Sequence, residues 1–180
     1  MIRILAVVAA LMCAIPAIAQ QLPAGLDKAN AIVIDTTKGR VVIKLRPDLA
    51  PQHAERIKLL ARDGYYNNVP FHRVIEGFMA QTGDGTKFNG TGGSKYPNLP
   101  AEFSKVPFKR GIVGMARTSD PNSANSQFFI MFADGSSLNG QYTVVGEVVS
   151  GMDVVDKIKR GEPVTDPDKM VKVQVAADMK

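Results

Sequence analysis

Along most of this 180-residue chain the apolar positions come in short runs, cut by glycine, proline and asparagine, and this pattern predicts strands more often than helices. Ala31 to Thr36 and Arg40 to Arg46 are rich in branched residues. Val41, Ile43 and Leu45 alternate with Val42, Lys44 and Arg46, and Lys38-Gly39 is a turn signal, so the two runs predict a hairpin. Further strands are predicted at Phe71 to Ile75, Phe78 to Thr82, Gly111 to Ala116, Gln127 to Phe132, Tyr142 to Val148 and Lys169 to Ala176. Two segments keep a helical period instead. In Pro51 to Arg62, Ala54, Ile57 and Ala61 share a face, proline suits the first turn, and Gly64 lies just past the end. In Met152 to Arg160, Met152, Val155 and Ile158 share a face, Lys159 and Arg160 sit at the negative end, and Gly161 then Pro163 stop the helix. Eight short strands and two helices predict a mainly β fold, a closed eight-stranded antiparallel barrel capped by two α-helices.

The first residues break this pattern. Met1 to Ala19 has one early cation, Arg3, an apolar run from Ile4 to about Ile15, and the small-residue site Ala17-Ile18-Ala19. The run is short for a membrane span and Ala-x-Ala suits a peptidase, so a secretory signal peptide over 1–19 is expected, the alternative being an uncleaved anchor. Cys13, the only cysteine, lies inside it, so residues 20–180 hold no thiol for a disulfide, a nucleophile or a metal site. Those residues have the size of one domain. Loss of Arg3 takes the formal charge from +5 to +4. The basic residues are interspersed with acidic ones, which argues for a solvated surface and against nucleic acid as a partner. No later stretch approaches membrane length, and an exported, soluble, monomeric protein is expected.

Most chemistries fail on inventory. Only His53 and His72 are present, with no further histidine or cysteine to complete a metal site. No Gly-x-Ser-x-Gly elbow occurs. The Gly83 to Gly93 loop matches neither phosphate-binding glycine spacing and is expected to be a surface loop. What remains is Phe71-His72-Arg73-Val74-Ile75-Glu76-Gly77-Phe78-Met79-Ala80-Gln81, which sets a permanent cation among apolar side chains with a glutamine nearby. A guanidinium beside a greasy pocket acts on a neutral polar bond without giving up a proton. From spacing alone Phe78, Met79 and Phe129 fit the core as well as a pocket, and Arg73 fits an exposed charge or half a salt bridge. Phe71 and Ile75 are expected in the core.

That stretch is followed by Gly111-Ile112-Val113-Gly114-Met115-Ala116-Arg117, Ser126-Gln127-Phe128-Phe129-Ile130, Leu138-Asn139-Gly140 and Val144-Val145-Gly146, in that order. Together they resemble the cyclophilin-type peptidyl-prolyl isomerases, from about Ala31 to the C-terminus. The resemblance implies a packed barrel with the substrate groove on an outer face, rotation about the bond preceding proline, and no cofactor. Position by position it implies that Arg73 is the catalytic arginine and that Phe78, Met79, Phe129 and Leu138 wall the proline pocket. Gln81 would bond the substrate backbone, short Ala116 would let the peptide lie close, and Gln127 would support the groove.

The chain also departs from the best-known members. Glu76 stands where many have proline, in a turn where it is expected to matter little. Arg117 replaces asparagine beside a loop from Thr118 to Pro121 that is longer by about one residue, which alters the contact to residues before the substrate proline. Tyr142 replaces a frequent histidine and still closes the pocket as a hydrogen-bond donor. Ser137 replaces a frequent tryptophan, which implies weak cyclosporin binding. The implied partners are proline-containing peptides and unfolded exported proteins, and the signal peptide implies a periplasmic address. A proline-segment binding module or holdase with incidental turnover is the alternative.

Overall fold

The computed structural model describes residues 22–180; the expected signal peptide and Cys13 lie outside the described residues. The elements run β1 (Ala31–Thr36), β2 (Gly39–Leu45), α1 (Pro51–Arg62), β3 (Val69–Pro70), β4 (Arg73–Ile75), β5 (Met79–Thr82), β6 (Ile112–Met115), β7 (Phe128–Met131), β8 (Val144–Ser150), α2 (Met152–Val155) and β9 (Lys169–Val175). The strands form one sheet of nine, in the order β3-β9-β1-β2-β8-β6-β7-β5-β4. Every pairing is antiparallel.

The closed eight-stranded barrel is therefore corrected to an open, strongly curled half-barrel of nine strands, because the chain changes partner within the predicted strand Phe71 to Ile75, whose first residue continues β3 and whose last three form β4. Val69–Pro70 pairs with β9 at one edge of the sheet, and Arg73–Ile75 pairs with β5 at the other. Phe71 still donates its N–H to the Asp168 carbonyl, 2.9 Å away, and His72 belongs to neither strand. The chain thus crosses from edge to edge, and no ladder joins β3 to β4.

Strand alternation sorts two faces. Val74, Ala80, Val113, Met115, Phe128 and Ile130 point inward into the main core with Ile32, Ile34, Val41, Ile43 and the buried side of α1. The alternate positions Met79, Phe129 and Met131, with half-buried Ile75, Ile112 and Ala116, join Phe108 and Val144 in a second cluster on the outer face. Phe71 lies in the main core as expected; Ile75, expected beside it, belongs to the outer cluster. This second cluster is the floor of the site described below.

Helix α1 has the predicted span. Ala50 at its start makes no side-chain cap. The carboxylate of Glu102, distant in sequence, instead accepts the N–H groups of Gln52 and His53 at 3.2 and 3.1 Å and places negative charge at the positive end of the helix. The second predicted helix, Met152 to Arg160, is corrected to the single turn Met152–Val155. Later amides find other acceptors: Lys159 N–H donates to the Asp168 carboxylate at 2.9 Å and Gly161 N–H to the Val74 carbonyl at 2.8 Å. Buried Ile158 continues the apolar face without the helix.

Both histidines are buried. Burial lowers the pKa of each imidazole, against the opposing pull of Glu102 on His53 and Asp84 on His72. The native state therefore binds fewer protons than the unfolded chain below about pH 6.5. Urea unfolding is expected to show stability falling as pH drops from about 6.5 to 5; a flat profile over that window would contradict neutral, buried imidazoles.

Candidate active site

Strand β4 is short, and its alternation turns Val74 inward and Arg73 outward at the sheet edge. Its partner β5 sets Gln81 directly opposite Arg73 and Met79 opposite Ile75. Beside it, β7 sets Phe129 opposite Gln81, and β6 sets Gly114 opposite Phe129. Leu138 comes from a 3-10 turn, Ser136–Leu138, and Tyr142 from the segment leading into β8.

These side chains enclose a cavity of about 200 Å3 lined by Arg73, Phe78, Met79, Gln81, Ala116, Arg117, Phe129, Leu138 and Tyr142. Every site residue singled out in the sequence lies here except Gln127. That residue lines an adjoining cavity of about 660 Å3 formed with the 90–94 loop, Asn98, Asn125 and the segment after Ala116. Gln81, Ala116 and Arg117 border both cavities. The two together form one groove with a small apolar end and a larger polar end.

The apolar end is rigid because its rings brace one another. Phe129 stacks on buried Phe108 with centroids 5.8 Å apart and meets Tyr142 edge-on at 5.8 Å. Phe108, which sequence reasoning passed over, is fixed by its N–H to Asn139 Oδ1 at 2.7 Å and its carbonyl to the Gly135 N–H at 2.8 Å. Gly114 makes the stack possible: a Cβ there would stand 2.5 Å from Phe129 Cζ and 2.6 Å from Phe108 Cε1. Gly114→Ala is expected to cost about 1–3 kcal/mol of stability through overpacking and to raise KM by tilting Phe129. Denaturant titration and peptide kinetics on that variant check both.

The polar end is wired by hydrogen bonds. Arg73 Nη1 donates to Gln81 Oε1 at 3.4 Å, Gln81 Nε2 to Gln127 Oε1 at 2.9 Å, and Gln127 Nε2 to the carbonyls of Gly90 and Gly92 at 2.9 and 2.8 Å. The guanidinium of Arg117 lies 4.5 Å from the centre of the Tyr142 ring and donates to the carbonyls of Gln141, Thr118 and Ser119. It is thereby fixed across the seam between the cavities. Ser137 is exposed beside Leu138.

The Gly83 to Gly93 loop, expected to be an ordinary surface loop, is built around a buried anion. The carboxylate of fully buried Asp84 accepts the backbone N–H groups of Thr86, Lys87, Asn89, Gly90 and Gly92 and the Thr86 hydroxyl. Burial pushes its pKa up, but the converging amides outweigh that and hold it far below the usual carboxylate range. An aspartate just after a glycine, followed by a run rich in Gly, Thr and Asn, was the available signal. Among the described residues no three His, Cys, Asp or Glu side chains gather as a metal site.

Comparison with known proteins agrees with this geometry. A model of the family described as "Cyclophilin type peptidyl-prolyl cis-trans isomerase/CLD" matches residues 31–177. A protein of Brucella suis named "Probable peptidyl-prolyl cis-trans isomerase" is 56% identical over 191 aligned positions that cover 97% of each chain. The "Peptidyl-prolyl cis-trans isomerase B" of Escherichia coli is 41% identical over 146 positions, covering 71% of this chain and 83% of that one. Among solved structures, a cyclophilin of Hirschia baltica superimposes with a TM-score of 0.80 at 30% identity, covering 86% of this chain and 77% of that one. A Cryptosporidium parvum cyclophilin crystallised in the presence of the dipeptide Ala-Pro gives 0.74 at 27% identity, over 81% and 98% of the two chains. With a family match across nearly all the described residues, and curated relatives that share more than two fifths of their aligned positions, this chain belongs to the cyclophilin-type peptidyl-prolyl cis-trans isomerases.

Proposed function

We propose that the isomerase acts on X-Pro bonds of exported polypeptides, with Arg73 as its catalytic group and the apolar end of the groove as the seat of the proline ring. The observation that carries this reading is the convergence, in one cavity of about 200 Å3, of a guanidinium with Phe78, Met79, Phe129 and Leu138. That volume admits a pyrrolidine ring against those apolar walls. The Ala-Pro dipeptide present with the Cryptosporidium cyclophilin supports a proline-sized occupant.

The chemistry follows from the bond. The imide resists rotation because nitrogen shares its lone pair with the carbonyl, giving a barrier of roughly 18–20 kcal/mol. As the bond twists, the lone pair localises on nitrogen, and an N–H of Arg73 aimed there stabilises the twisted state more than the planar one. The arginine stays charged throughout, so no proton changes hands and no covalent intermediate forms. Phe129, Met79 and Leu138 hold the ring while the preceding carbonyl swings, Gln81 engages the peptide backbone, and Ala116 leaves room for the chain to continue into the larger cavity. Bringing an exchange of about a hundred seconds down to about a millisecond requires on the order of five decades, roughly 7 kcal/mol. One hydrogen bond supplies too little of that, so charge and ring anchoring share the task.

The apolar leader pattern of residues 1–19 supports export to the periplasm and a role in folding exported chains there. Two-dimensional exchange spectroscopy on a blocked Ala-Ala-Pro-Phe peptide tests the activity on residues 20–180. Cis-to-trans cross-peaks that grow with catalytic amounts of protein are expected, while binding without faster interconversion would make the chain a proline-binding module instead.

A further inference from the structure

The segment after α2 is laced to the sheet edge that carries Arg73. Arg160 Nε donates to Glu76 Oε2 at 2.6 Å. Val74 and Gly161 exchange both backbone hydrogen bonds at 2.8 Å, and the Val164 N–H donates to the His72 carbonyl at 3.1 Å. Residues 160–164 thus run antiparallel to residues 76–72, anchored on each side of Arg73. The residue this lacing sets opposite Arg73 is Glu162, whose Oε1 accepts from Arg73 Nε at 2.5 Å. On the other side Gln81 Oε1 accepts from Nη1. Two acceptors on different edges of a planar cation fix both its position and its plane.

We infer that Glu162 is a positioning residue: its carboxylate, pinned by the 160–164 segment, aligns the Arg73 guanidinium with the proline pocket and leaves the Nη2 edge to meet the twisting imide. The inference rests on the reading of Arg73 as the catalytic group. An arginine side chain has four rotatable bonds, and free in solvent it would spend little of its time in the one arrangement that faces the ring. Alignment ahead of substrate binding removes that cost from the barrier. The Arg73 and Glu162 side chains are 38% and 57% exposed, so the pair adds little to stability, and its effect belongs in turnover. Glu76, expected from sequence to matter little, takes part by holding Arg160 and with it the start of the segment.

The test is a set of variants assayed on the blocked Ala-Ala-Pro-Phe peptide. Glu162→Ala is expected to lower kcat roughly five- to tenfold with KM within about twofold, because the pocket walls are untouched. Glu162→Gln, which keeps an acceptor at the same reach, is expected to recover most of that loss. The Arg73 Nε–H resonance should be resolved in the unmodified protein and move to the position of free arginine in Glu162→Ala. In an Arg73→Ala background, Glu162→Ala should change nothing further. An unchanged kcat in Glu162→Ala, with Arg73→Ala impaired, overturns this inference and leaves the catalytic reading standing. A raised kcat also overturns it, since the carboxylate would then restrain the arginine. Full activity in Arg73→Ala removes the catalytic reading itself.

Discussion

Arg73→Ala is expected to lower kcat/KM for X-Pro exchange by roughly 10²–10³-fold, the usual loss when one preorganised donor to a developing charge is removed. The loss should fall mainly on kcat. The ring-binding walls Phe78, Met79, Phe129 and Leu138 are supplied by other elements, and Phe129 is held by Phe108 and Tyr142 independently of Arg73. Stability should change by less than about 1 kcal/mol, because Arg73 is a partly exposed edge residue whose ion pair with Glu162 faces solvent. Arg73→Lys should recover only part of the activity. A lysine keeps the charge, but its compact head cannot reach Glu162 and Gln81 at once as the forked guanidinium does. Peptide exchange kinetics alongside thermal melts separate these effects; a fall in activity that tracks a fall in melting temperature would count against the assignment.

Asp84→Asn is expected to produce the largest loss of stability of any single polar substitution near the groove. Oδ1 accepts from Thr86 and Lys87 amides and the Thr86 hydroxyl, and Oδ2 from the amides of Asn89, Gly90 and Gly92. A carboxamide replaces one of these oxygens with an NH2 group, so whichever way it turns, one set of donors faces a donor and the anion that drew them in is gone. At 1–3 kcal/mol for each buried group left unpaired, the loss is on the order of 3 kcal/mol or more. The damage should extend to function. The carbonyls of Gly90 and Gly92 hold Gln127, which holds Gln81. KM for longer peptides spanning the 660 Å3 cavity should therefore rise more than KM for a short one. In the unsubstituted protein the same carboxylate contributes stability at pH values above its unfolded pKa near 4, and that contribution fades as acid pH approaches its much lower folded value.

The elements most legible in the sequence were those whose signal is local. Helix α1 carries its own period, proline start and glycine end, and its bounds matched. Sequence pattern placed β1, β2 and β5 to β9 to within two residues at each end, with Phe78 outside β5 and β8 shifted by two residues toward the C-terminus. Phe71 to Ile75 misled because nothing local says that its pairing partner changes at His72 from β9 to β5. Barrel closure depends on how far the sheet curls, which no pattern of single residues encodes. Met152 to Arg160 kept helical spacing, yet the Asp168 carboxylate drew the Lys159 amide out of the helix, and the Val74 carbonyl, far away in sequence, holds the Gly161 amide just past its end. In the site, motif-borne residues such as Arg73, Gln81 and Phe129 were legible through resemblance. Glu162, Asp84, Phe108 and Gly114 were not, since each matters only through a partner that the fold brings to it.

The central claim is that a fixed positive charge at position 73 draws the lone pair onto the imide nitrogen. Replacing Arg73 with citrulline, which keeps the shape and most of the N–H donors while removing the charge, tests it most directly by exchange spectroscopy on the proline peptide. A drop in kcat approaching that of Arg73→Ala is the expected result, and exchange as fast as with arginine would contradict it.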